Sequence, residues 1–233
     1  MILRIMLSFV IALLCAGAVQ AGDIEDGLAA YDRQDYATAL TKYRSAAQQG
    51  NRNALALIGA MYYFGKGVVQ DYKEAARWYK LAAQQGDSFA QLSLGLMHRD
   101  GQGVLQDYEE KVRWYKLAAA QGEATAQFNL GISYDIGEGV KKDHKEAVRW
   151  YKLAAAQGIK KAQLNLGLSF SKGQGVAQDY TRAHMWYNLA AVGSDADAVK
   201  NRHIIAAKMT PQQIAEAQKL ARECQARNFK NCD

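Results

Sequence analysis

Ser169 and Lys172 in the stretch "SFSK" satisfy S-x-x-K, a spacing in which a serine hydroxyl can attack an acyl group with a lysine beside it. The motif set of penicillin-recognising serine enzymes also needs K-T-G, and none follows. The stretch stands in phase with "SYDI" at 133–136 and "MHRD" at 97–100, so a repeated position accounts for it. His98, His144, His184 and His203 lie far apart and lack metal-ligand spacing. The "GKG" at 65–67 lacks the remaining residues of a phosphate loop. No cofactor or metal is expected from these residues. Of the three cysteines, Cys224 and Cys232 stand outside the apolar leader. An even number in an exported chain points to a disulfide, adding about 2–3 kcal/mol mainly by restricting the unfolded chain. A metal pair is the rival reading, and it has no histidine nearby.

The elements that would position any such site are written by a repeat. "RWYKLAA" begins at 77, 113 and 149, a step of thirty-six residues. Trp78, Trp114, Trp150 and Trp186 fall in one column; Tyr79, Tyr115, Tyr151 and Tyr187 fall in the next. Gly59, Gly95, Gly131 and Gly167 form another, and a Gly-x-Gly-Val loop starts at Gly65, Gly101, Gly137 and Gly173. A catalytic residue is needed once, whereas a contact between stacked units must be rebuilt at every step.

Each unit reads as two helices. In unit one the first covers about 54–64 and stops at Gly65, which accepts a left-handed backbone. Asp71 opens the second, and Asp-x-x-Glu at Asp71/Glu74, Asp107/Glu110 and Asp143/Glu146 predicts a reciprocal capping box. Unit four, with Arg182, keeps only the cap. Tyr72, Ala75, Tyr79, Ala82 and Ala83 draw an apolar stripe at helical period. The small residues, the first-helix glycine included, predict close approach of backbones. Lys111 interrupts an alanine column, so its stem is expected along the interface with its ammonium in water. The units are 51–86, 87–122, 123–158 and 159–194, a half-matching hairpin at 22–50 and a closing one at 195–233. Thr210, Pro211 and Gln213 give the last helix a clear start. No linker or second domain is expected.

"MILRIMLSFVIALLCAGAVQA" has an early cation, a short apolar run and small residues at Val19 and Ala21, the anatomy of a secretory leader cleaved after Ala21. Cys15 follows bulky Leu14, against a lipid anchor. The chain is therefore expected in the periplasm or secreted, without membrane insertion. Net charge is +6, and the cations are spread along the repeats, which argues against nucleic acid.

The string A-x-x-x-L-G-x-x-Y-x-x-G-x-G-V-x-x-D-x-x-x-A-x-x-W-Y-x-x-A-A-x-x-G resembles the Sel-1-like repeat family, relatives of the tetratricopeptide repeats. Unit three carries it almost throughout, from Ala126, Leu130, Gly131 and Tyr134 to Trp150, Tyr151, Ala154, Ala155 and Gly158. His98, Phe170, Ile58 and Lys111 depart from it mildly. The resemblance implies an all-α fold, a right-handed α-solenoid of about five to six antiparallel helix hairpins. It also implies an adaptor or scaffold role, for exported bacterial members in the cell envelope.

Related arrays bind partners on a concave face lined by first helices. Here those helices carry Ala56 and Ala60, Leu92 and Leu96, Phe128 and Ile132, and Leu164 and Leu168, each pair four apart on one face. Tyr63, Arg99, Asp135 and Ser171 follow and vary in chemistry. These twelve positions are the candidate groove for a segment of another protein, or equally a wedge against the neighbouring repeat. Two alternatives remain. One is a β-lactamase-like hydrolase, as described for cysteine-rich relatives whose cysteine framework is absent here. The other is a peptidoglycan-binding envelope protein, if the aromatic columns were free to stack on sugars.

Overall fold

The computed structural model describes residues 22–193 and 195–232. The leader expected over 1–21, with its cleavage position, lies outside them. All regular structure among the described residues is helical. A first helix, α1, covers 22–32. There follow α2 (Tyr36–Gln48), α3 (Arg52–Phe64), α4 (Tyr72–Gln84), α5 (Ser88–Asp100), α6 (Tyr108–Ala120), α7 (Ala124–Ile136), α8 (His144–Ala155), α9 (Lys160–Lys172), α10 (Tyr180–Ala190), α11 (Ala196–Ala206) and α12 (Pro211–Ala226). The chain divides into two compact units, one ending at Asp107 and the other beginning at Tyr108. In the first, α2, α3, α4 and α5 pack in succession; in the second, α6 to α10 do the same, and α11 and α12 both close on α10. Each unit is thus a run of stacked helix hairpins, the α-solenoid type that the period predicts.

The tyrosine column is the core of each hairpin. Tyr43, Tyr79, Tyr115, Tyr151 and Tyr187 are almost fully buried. The first-helix glycine exists for that ring rather than for a close-lying backbone. A Cβ on Gly59 would sit 2.8 Å from Tyr79 Cδ1, and one on Gly131 would sit 2.6 Å from Tyr151 Cδ1. Gly27 lies against Tyr43 in the same way, so the N-terminal hairpin obeys the rule although it lacks the glycine loop. The tryptophans sit to the side. Trp114 and Trp186 are buried, while Trp78 and Trp150 are half-buried with their indole nitrogens inside.

The loop glycines do two different jobs. Gly65, at φ 64°, is the left-handed cap that ends α3. Gly67, two residues on, rests on the preceding hairpin: its missing Cβ would meet Tyr36 Cβ at 2.7 Å. Gly103 meets the Tyr72 carbonyl, Gly139 that of Tyr108 and Gly175 that of His144, closer still. The joint is to the first residue of the previous second helix each time, and at Gly103, Gly139 and Gly175 the nearest atom is backbone.

Three expectations need correction. The second helices are capped by aspartate, with Asp71 Oδ1 accepting from the Lys73 and Glu74 amides at 2.8 and 3.1 Å, but the box is not reciprocal. The Asp71 amide already donates to the Tyr62 carbonyl, and that of Asp143 to Tyr134, so Glu74 and Glu146 turn to Arg77 and Arg149. Thr210 and Gln213, by contrast, bond in both directions. Lys111 is 2% exposed, and its ammonium does not reach water. It is paired at 2.5 Å with Glu138, in the glycine loop of the next repeat, and lies 4.9 Å from the centre of the Tyr108 ring. A buried ammonium needs such a counter-ion, because desolvation would otherwise drive it out. Finally, Gly59, Gly131 and Gly167 make room first for a tyrosine ring, with backbone nearby only at Gly131, where the Ala147 carbonyl is 3.3 Å from a Cβ.

A column that the sequence reading passed over ties neighbouring hairpins together. Gln91, Gln127 and Gln163 are buried, and their Nε2 atoms donate to the carbonyls of Ala83, Ala119 and Ala155. Those carbonyls lie at the end of a second helix, where intrahelical donors run out. At the C-terminus Cys224 and Cys232 are joined, with 2.01 Å between sulfurs. Both pack in the cluster that holds Met185, Trp186 and Leu189, so the last helix covers the flank of the fourth repeat.

Candidate partner-binding face

The candidate row divides by burial and by partner. In the first unit Ala56 and Leu92 are buried, Ala60, Tyr63 and Leu96 are half-buried, and Arg99 is exposed. Tyr63 stands at the end of α3 and its hydroxyl donates to Gln102 Oε1 at 2.7 Å. Its ring meets Phe64 and Tyr72 edge-on at about 5 Å. Burial, with lesser help from neighbouring Tyr72 and Asp100, pushes the Tyr63 phenol above its ordinary pKa, so it stays a neutral donor.

A cavity of about 290 Å³ opens beside it, lined by Tyr63, Phe64, Tyr79, Phe89, Ser93 and Leu96. Phe64 is 60% exposed and Phe89 51%. The candidate row missed both. Phe64 follows Tyr63 directly, one step around the helix, and a search at spacing four discards it. Phe89 lies in the first turn of α5, ahead of Leu92. The signal that could have found them is two phenylalanines at helix ends, where a core does not need them.

In the second unit Phe128, Ile132, Leu164 and Leu168 are half-buried and pack against the core cluster. Phe128 lies 6.1 Å from the Tyr151 ring. These side chains therefore wedge between hairpins and also keep one side open. Asp135 and Ser171 are not free for a ligand in the way a variable column suggests. Asp135 accepts from Tyr151 Oη at 3.4 Å and pairs with His144 Nδ1 at 2.7 Å. Ser171 Oγ accepts from Tyr187 Oη at 3.3 Å and donates to the Leu168 carbonyl. Part of the variation in this column thus serves to satisfy the hydroxyl of a buried tyrosine. Arg99 is exposed and joined by two hydrogen bonds to Asp100.

The serine–lysine pair has a different fate. Ser169 is 7% exposed and its Oγ donates to the Asn165 carbonyl at 2.9 Å, while Lys172 is exposed in the last turn. A hydroxyl buried and bonded along its own helix is poorly placed to meet an acyl group. Among the described residues no group of three or more His, Cys, Asp or Glu could hold a metal ion, and no helix is long and apolar enough to cross a membrane.

The Sel1 repeat model matches 52–87, 88–123, 124–159 and 160–191. Its segments begin one residue after those read from the period. A Sel1 repeat protein from Oxalobacter formigenes is similar at 33% identity, with 84% of each chain covered and a TM-score of 0.77. The protective antigen c5321, present in uropathogenic Escherichia coli strains and displaying an SLR fold, is 24% identical. It covers 91% of this chain and 70% of its own, with a TM-score of 0.51. A sel1 repeat protein from Klebsiella pneumoniae is 21% identical over 82% of this chain and 95% of its own, also at 0.51. The latter two show the fold alone. No curated protein matches the chain.

Proposed function

The chain belongs to the Sel1 repeat family, a protein-interaction scaffold type, and on that premise we propose that it is a non-enzymatic adaptor of the bacterial cell envelope. It takes an extended or helical segment of another protein on its first-helix faces, with Ala56, Ala60, Leu92 and Leu96 as the apolar floor in the first unit and Phe128, Ile132, Leu164 and Leu168 as that in the second. The disulfide between Cys224 and Cys232 is compatible with an oxidising compartment, and supports a periplasmic or secreted location.

One observation carries the reading. The aromatic cavity at Tyr63 and Leu96 leaves Phe64 and Phe89 more than half exposed. Large rings held open beside an apolar recess are how interfaces place their anchors. Against the hydrolase stands the buried, bonded Ser169 hydroxyl. Against sugar stacking stands the burial of the tyrosine column and of the Trp78, Trp150 and Trp186 nitrogens.

A photo-crosslinking phenylalanine analogue at Phe89 tests this in envelope extract. It should join the protein to a discrete partner, whereas the same analogue at exposed Leu81 on α4 should not. Equal labelling at both positions, or none at Phe89, overturns the assignment of the face.

A further inference from the structure

The second unit ends in a cleft between α10, the last helix of the fourth matched repeat, and α11 and α12, which follow it, apart from the first-helix face. It has two compartments, of about 330 and 360 Å³, which share Asn188, Arg202 and Gln218. His184 and His203 complete the walls of one, and Arg222 those of the other. No residue lining either compartment is acidic. Arg202 is held in place by Asn188, with Nη1 2.8 Å from Oδ1. His184 is 3% exposed, and its Nδ1 is buried with no hydrogen-bond partner. Two guanidiniums, two imidazoles and three amides, Gln225 being the third, therefore line the two compartments without a carboxylate among them. Buried polar groups of native proteins are normally paired, and an unpaired one calls for an explanation.

We propose that this cleft binds a small oxyanion, a molecule bearing carboxylate or phosphate groups, gripped by Arg202 and Arg222 with His184, Asn188 and Gln218 as further hydrogen-bonding partners. Guanidinium forks match the oxygen pairs of both groups. Each compartment stands at the small end of ligand pockets, roughly 300–1,000 Å³, so the ligand is of metabolite size. The charged groups that bear on His184 fit this chemistry. Arg202 and His203 of α11 disfavour its protonation, after the larger effect of burial. Arg222 of α12 is in the adjoining compartment, and α9 contributes no residue to the walls. An anion seated between these cations offsets their effect on His184 and favours its protonation as the ligand enters.

Calorimetric titration of the purified protein with citrate and, separately, with inorganic phosphate tests the site at pH 7. The expected result is one saturable site in at least one arm, with Kd below about 1 mM. The tighter arm tells carboxylate from phosphate. Arg202→Gln and Arg222→Gln should each weaken binding at least about tenfold, the loss expected of a removed charge-assisted pair. Glu216→Gln, on α12 outside the cleft, should leave it unchanged. Circular dichroism checks the variants; should Arg202→Gln misfold, exposed Arg222 carries the test. The His184 ring resonances should shift on adding the bound anion and titrate at higher pH. Lack of saturable binding to either probe, equal affinity in the arginine variants, or an unmoved His184 resonance overturns the proposal.

Discussion

Replacing Glu138 by glutamine should destabilise this protein far more than a loop substitution ordinarily does. Lys111 is enclosed, its ammonium 2.5 Å from Glu138 Oε2 and over the Tyr108 ring, and its side chain is 3% exposed. Removing one member of a fully buried pair costs about 3–5 kcal/mol, because the other charge stays desolvated. Glu138 is one-third exposed, so water relieves part of that, and about 2–3 kcal/mol remains. Changing Lys111 to methionine instead removes the charge but keeps the stem, and should lie within about 1 kcal/mol of the parent, since an apolar residue of similar volume often replaces a buried ion without loss. In the Lys111→Met background, Glu138→Gln should cost less than about 0.5 kcal/mol, as surface changes do. Thermal melting of the four proteins, followed at 222 nm, reads the cycle. A loss of 2–3 kcal/mol in a chain of this length is roughly 4–12 °C. The coupling should survive 1 M salt, which screens exposed charges and hardly reaches an enclosed pair. Additive effects within about 0.5 kcal/mol, or a coupling that salt erases, would show that the pair is not a joint between repeats.

Two other perturbations separate the structural claims. Gly139→Ala should cost well over the ~1 kcal/mol of a left-handed alanine, since its Cβ would run into the Tyr108 backbone, whereas Gly122→Ala, with φ 89° and open space around it, should cost only about that much; equal melting losses would refute the glycine joint. His184 is held below its ordinary pKa by burial first and then by Arg202 and His203, so the unfolded chain takes up the proton more readily. Stability should be fully present above the unfolded value of about 6.5 and fall as pH drops below it. Asp23, Asp35 and Asp100 are also held low, and their losses come below about pH 4, so they do not obscure the histidine. Melting between pH 8 and 5 reads the effect, and His184→Gln should flatten it.

What could be read from the letters was what repeats. The tyrosine and glycine columns gave hairpins, their ends and their order, because each is rebuilt at a fixed step. What escaped was what compensates. Lys111 was conspicuous as the charge in an alanine column, but its partner Glu138 is 27 residues away, in a loop position filled by Lys66, Gln102 and Gln174 elsewhere. Gly27 escaped because its hairpin has a shorter loop, which puts it out of step with Gly59. The buried glutamines escaped because a polar residue at helical period reads as surface until its carbonyl acceptor is seen. On the candidate face, Asp135 and Ser171 vary with the needs of the tyrosines beneath them. Phe64 and Phe89 were invisible to a rule that asked for spacing alone.

The contact of Gly103, Gly139 and Gly175 with the carbonyl of the first residue of the preceding second helix makes no demand on side-chain identity. As far as this joint is concerned, cassettes of thirty-six residues could be duplicated, removed or exchanged in phase, whereas a pair such as Tyr63 and Gln102 would have to be kept together. The boundary between the second and third repeats is different. There Lys111 and Glu138 act as lock and key, and a cassette moved across that boundary must travel with its counterpart.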